Sequence, residues 1–138
     1  MKDWPTLQNE VTQSLVGLSD GDFLVLRTGP PAPRRRFRRP DPALEPAYVQ
    51  AMWLYTVLTV EASPDAEIES LRALVWQTPE NGPPWMPPGI YNLWREWPAD
   101  GGITPEVAAE VAALAVATLR GPFGVAQASQ VNWLRGPY

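Results

Sequence analysis

Apolar residues in the first part of the chain recur at three- and four-residue steps: Trp4, Leu7, Val11, Leu15 and Leu18. That spacing places them on one face of a helix over residues 4–18. Pro5 suits the first turn, where its missing N–H is not needed, and Asp3 lies where the helix dipole favours negative charge. The cluster Ser19-Asp20-Gly21 should stop the helix. The pattern then changes. Phe23-Leu24-Val25-Leu26 is a continuous apolar run that predicts a short buried strand, closed by Gly29 and Pro30-Pro31. From Tyr48 to Ala62 the chain is rich in β-branched and aromatic residues. A strand usually runs about five or six residues, so this stretch predicts two, about 48–54 and 57–62. They would form a tight hairpin or a bent ribbon, although no glycine marks the turn.

Ser63 as N-cap and Pro64 behind it open a second predicted helix. Asp65, Glu67 and Glu69 cluster near its positive end, Ile68, Leu71, Leu74 and Val75 form its apolar face, and it should end near Gln77. Ile90 to Trp97 reads as a short edge strand containing Trp94 and Trp97. The clearest helix follows, with Thr104 as cap, Pro105 behind it, and an apolar face of Val107, Val111, Leu114 and either Val116 or Leu119. Gly121 and Pro122 end it. Its remaining positions are mostly alanine (108, 109, 112, 113, 115 and 117), which permits close approach to a sheet or to a second copy of the chain. A homodimer is one expectation from that row. Val131 to Leu134 predicts a last short strand. The expected order is α-β-β-β-α-β-α with a final β. Three consecutive strands argue for an antiparallel sheet packed by about three helices, an α+β domain.

Two stretches fit no regular element. Residues 29–47 form a Pro/Arg-rich loop, with six prolines between Gly29 and Pro46, and residues 79–89 form a second Pro-rich loop. Proline removes the backbone donor and cannot sit in a helix interior or a central strand. Residues 1–138 are the length of one domain, able to bury roughly 68% of the unfolded surface.

Composition narrows the chemistry. The chain has no cysteine and no histidine. Disulfides, thiolate nucleophiles, zinc sites of the usual ligand types and any triad built on histidine are therefore excluded. The carboxylate pairs Glu96/Asp100 and Glu67/Glu69 lack metal-ligand spacing. Gly101-Gly102 precedes a helix but belongs to no phosphate-binding motif. No catalytic residue, cofactor or metal is expected, which leaves a non-catalytic binding protein. No run reaches the ~18 apolar residues of a membrane span, and no apolar segment suggests a secretory signal. A cytoplasmic location is expected.

The formal net charge of −4 hides a split. Arg34, Arg35, Arg36, Arg38 and Arg39 stand around Phe37, and the rest of the chain holds 6 basic against 15 acidic residues, a net of −9. Guanidinium forks pair bidentately with carboxylate or phosphate, and Phe37 can stack on a base or fill a pocket. Three readings follow: an acidic protein partner, a nucleic acid, or the chain's own acidic surface. The acidic body repels nucleic acid, which makes a nucleic-acid-associated protein the alternative rather than the first reading. Seven tryptophans are many for this length. Trp85 and Met86, set between proline pairs, are candidate apolar anchors for a partner or a lid on the core.

One family resemblance runs through these segments. Its residues are Gly21-Asp22-Phe23-Leu24-Val25-Leu26 after an amphipathic helix, Tyr48-Val49-Gln50, Asn92-Leu93-Trp94 with Trp97-Pro98, and an alanine-rich helix running into Phe123-Gly124-Val125. In these the chain resembles the TY-Chap family, related to YbjN and to the type III secretion chaperones. The resemblance implies a small cytoplasmic protein with a secretion-chaperone-like fold that holds another protein, often as a dimer. The arginine run at 34–39 is not part of the family pattern.

Overall fold

The computed structural model describes residues 2–29, 47–62 and 93–137. Its elements, in chain order, are α1 (Trp4–Val16), β1 (Asp22–Arg27), β2 (Tyr48–Leu54), β3 (Val57–Ala62), β4 (Leu93–Pro98), α2 (Pro105–Arg120), a 3-10 turn (Ala128–Gln130) and β5 (Asn132–Pro137). All strand pairs are antiparallel, in the order β4-β3-β2-β1-β5. The α+β class and the antiparallel sheet agree with the sequence pattern. The helix count does not: two α-helices rather than three stand among the described residues. The predicted helix at 63–77 lies outside them.

Each helix starts where its cap chemistry dictates. The Asp3 carboxylate accepts from the Thr6 N–H at 2.8 Å, and the Thr104 hydroxyl from the Val107 N–H at 3.2 Å. Hydrogen bonds from Thr6, its hydroxyl first, hold the Asp3 carboxyl below the usual carboxylate range. Gly17 and Gly121 end the helices by donating back to Gln13 and Ala117. The helices run antiparallel, with Trp4 at the start of α1 beside Arg120 at the end of α2.

Both helices cover the same face of the sheet. Leu7, Val11, Leu15, Ala108, Val111, Ala112, Ala115 and Leu119 meet Leu24, Leu26, Val49, Ala51, Leu58, Val60 and Trp97 in one core. The space left between these layers is about 10 Å³, no larger than a single water needs. Ala108, Ala112 and Ala115 face inward, so the alanine row serves the contact of α2 with α1 and the sheet. Ala109 and Ala113 remain exposed. At the β4 edge, Arg95 lies 4.7 Å from the Trp97 ring and 3.2 Å from Glu110 of α2. At the β5 edge, the Arg135 guanidinium donates to the Gly17 carbonyl at 2.9 Å. Both contacts lock an outer strand to the helix layer.

The hairpin between β2 and β3 turns at Tyr55-Thr56. Tyr55 takes φ +59°, a region that bulky residues rarely enter. Four hydrogen bonds hold the corner. Tyr55 N–H donates to Asp20 at 2.8 Å, and the Trp53 indole to the Tyr55 carbonyl at 2.8 Å. Gly21 N–H donates to the Trp53 carbonyl at 2.7 Å, and Ala99 N–H to the Thr56 carbonyl at 2.8 Å.

Candidate interaction surfaces

Alternation along the strands gives the sheet two faces. The helix face carries Trp97, Leu58 and Trp53 in one register row and Arg95, Val60, Ala51, Leu24 and Arg135 in the next. The second face carries Trp94, Glu61, Gln50, Val25 and Leu134 in one row, and Glu96, Thr59, Met52, Phe23 and Gly136 in the next. Among the described residues no helix lies over this second face. Gly136 leaves room there for the Phe23 ring, which comes within 3.6 Å of where a Cβ would stand. Val25, Met52 and Trp94 are nonetheless buried, while Leu134 is 43% exposed.

Trp94 stands apart from the other tryptophans the structure describes. Trp97 is in the core, and Trp4, Trp53 and Trp133 pack against it. All four also meet a cation or an acceptor, Trp97 through Arg95. Arg120 sits 5.3 Å over Trp4, Lys2 sits 5.7 Å over Trp133, and Trp53 has its carbonyl acceptor. Trp94 is 8% exposed and on the opposite face. Its indole Nε1–H is buried and finds no acceptor among the described residues.

Two open depressions lie on the helix side. One, of about 430 Å³, runs between the helices and is lined by Trp4, Pro5, Gln8, Asn9 and Thr12 of α1 and Ala109, Val116 and Arg120 of α2. The other, of about 450 Å³, lies between α1 and Trp133. The first has apolar walls from Trp4, Pro5 and Val116 beside amides and Arg120, and the second holds amides, a hydroxyl, the Trp133 ring and the Lys2–Glu10 ion pair at 2.7 Å. Among the described residues no group of three or more acidic side chains could hold a metal ion. Glu96 and Asp100 are exposed and form no paired site. No helix among the described residues is long and apolar enough to cross a membrane.

Arg34, Arg35, Arg36, Phe37, Arg38 and Arg39, and likewise Trp85 and Met86, lie outside the described residues. Sequence reasoning passed over Trp94 because it was read together with Trp97 as one aromatic pair. The distinguishing signal was present: residues three apart in a strand point to opposite faces.

Comparison with known families decides the class of protein. The family model TY-Chap3, described as T3SS (YopN, CesT) and YbjN peptide-binding chaperone 3, matches residues 1–133. The chain belongs to the TY-Chap3 family. No curated protein and no solved structure matches it. The TY-Chap3 match takes in both helices and β1 to β4 and ends two residues into β5. A peptide-binding chaperone module agrees with a binding role for the chain.

Proposed function

We propose that this TY-Chap3 protein is a non-catalytic, cytoplasmic chaperone or adaptor that holds an extended segment of a client protein on its sheet. The observation that supports the reading is the antiparallel sheet with an outer strand at each edge, β4 and β5. Among the described residues the helices lie on one face of the five-stranded antiparallel sheet, and the other face carries apolar and aromatic side chains, several of them buried, between two outer strands. Outer strands carry backbone donors and acceptors that an extended peptide can pair, while pockets for alternate side chains supply selectivity. Arg34–Arg39 would add charge pairing with an acidic client, and Trp85 and Met86 apolar anchoring. The absence of histidine and cysteine from the sequence supports a role without chemistry.

The test is selection of a phage-displayed library of linear ten-residue peptides on the full chain. Selected peptides, remade with a fluorescent label, should bind saturably and be displaced by their unlabelled forms. Failure to select any peptide above a blank surface overturns the reading.

A further inference from the structure

The depression between the two helices is charged at one end only. From Trp4 to Thr12, α1 lines it over about 12 Å at the helical rise of about 1.5 Å per residue. An extended chain rises about 3.3 Å per residue, so about three or four residues fill that length. The helices run antiparallel, so Arg120, last in α2, stands at the Trp4 end of the groove. Pro5, Asn9, Ala109 and Arg120 are all exposed, and the groove is open along its length.

Arg120 is held in place but not neutralised. Its guanidinium lies 5.3 Å from the centre of the Trp4 ring. A guanidinium over an aromatic face keeps N–H groups for a two-oxygen acceptor such as a carboxylate. Among the described residues Arg120 meets no carboxylate, whereas Lys2 pairs with Glu10 and Arg95 with Glu110. Asp3 caps the neighbouring helix, lies outside the lining and accepts from Thr6. Beyond Arg120 the walls carry no charge. Trp4 and Val116 are apolar, and the amides of Gln8 and Asn9 can pair with a peptide backbone.

The ligand that matches this distribution has one negative charge, at its tip. An internal Asp or Glu brings a chain that must continue past Arg120, where the groove ends. Further carboxylates are opposed by the body of the molecule, with 6 basic against 15 acidic residues outside the arginine run. The end of a peptide chain meets both conditions, and capture of a terminal carboxylate is an established mode of peptide recognition.

We infer that the groove between α1 and α2 binds the free C-terminus of an otherwise uncharged partner chain: Arg120 pairs with the terminal carboxylate, Trp4 and Val116 receive an apolar last side chain, and Gln8 and Asn9 pair with the last backbone amides. This site is separate from the sheet edges and does not depend on the peptide-binding reading above.

The probe is an array of six-residue peptides fixed through their N-termini, uncharged along their length and ending in an apolar residue with a free carboxylate. The tightest binder to the full chain is remade with an N-terminal fluorophore in three forms: the free acid, the C-terminal amide, and the amide with one internal residue changed to Asp. The free acid is expected to bind about tenfold more tightly than either amide. Arg120→Gln, a change at an exposed position, should bind the acid and the amide alike. The second readout is the indole N–H resonance of Trp4 in the ¹⁵N-labelled unaltered chain, which should move with the free acid and stay in place with the amide. An array with no binder, an amide that binds as well as the acid, or a preference that survives Arg120→Gln overturns the inference. Equal binding of the internal Asp form overturns the assignment to a chain end. An unmoved Trp4 resonance places the peptide elsewhere and overturns it even if the variant does not fold. Phage-displayed peptides present no free C-terminus, so their selection decides the sheet-edge reading separately.

Discussion

Tyr55 is the one non-glycine residue with positive φ among those described, and its side chain is 82% exposed. A side chain that leaves its ring in water contributes little packing. The left-handed backbone costs roughly 1–2 kcal/mol for most L-residues and less for asparagine. The four hydrogen bonds at this corner run through backbone groups, Asp20 and the Trp53 indole, so a substitution at Tyr55 keeps them. Tyr55→Asn should therefore raise stability by about 1 kcal/mol, read as a higher urea midpoint with unchanged slope. A lower midpoint would mean that the ring itself stabilises the turn. The turn was not legible in the sequence for the same reason. Primed hairpin turns are usually announced by Gly or Asn, and here the geometry is imposed by neighbours distant in the chain.

Strands β2 and β3 were readable because a fifteen-residue stretch rich in β-branched and aromatic residues exceeds one strand and must fold back. Both helices were readable because Asp3-Pro5 and Thr104-Pro105 mark their starts and the apolar spacing marks their inner faces. What periodicity could not assign was partnership. The final strand was expected, yet nothing local says that it lies beside β1 and so becomes an edge. Nor does local pattern say which alanines of α2 meet α1. Ala112 is fully buried and Ala113 exposed, although they are adjacent. Ala112→Leu should destabilise by roughly 1–3 kcal/mol, because the helices and sheet leave no space for added methylenes. Ala113→Leu should stay within about 0.5 kcal/mol of the parent chain. Urea denaturation of the two variants side by side checks both. Equal losses would mean that α2 is rotated so that Ala113 also faces the core.

Charge belongs to the molecule as a whole. With −9 outside the arginine run, the body repels an acidic peptide, so any affinity for one has to come from Arg34, Arg35, Arg36, Arg38 and Arg39. Changing all five to Ser should abolish the binding of acidic library peptides and make the affinity of neutral ones insensitive to salt. Titrations at two ionic strengths give the answer, and a variant that still binds acidic peptides would remove the run from the interface. The sequence pointed to this run and to Trp85-Met86 because they are compositionally loud. Trp94 is quiet, one aromatic among seven, and its significance depends on which face the strand turns toward the helices.

The strand register also divides the molecule into two unlike poles. Leu54, Val57, Pro98 and Pro137 gather at one end, where the connections are short and cross-tied by the Tyr55 corner. Arg27, Tyr48, Ala62 and Leu93 gather at the other, and residues 30–46 and 63–92 both leave and return there. Doubling the length of a flexible connection costs only about 0.6 kcal/mol in closure entropy. Insertions at that second pole can thus accumulate, shrink or be exchanged between relatives while every strand keeps its neighbour. One domain could in this way acquire new clients by rewriting two segments, with the register of its sheet held constant by the opposite end.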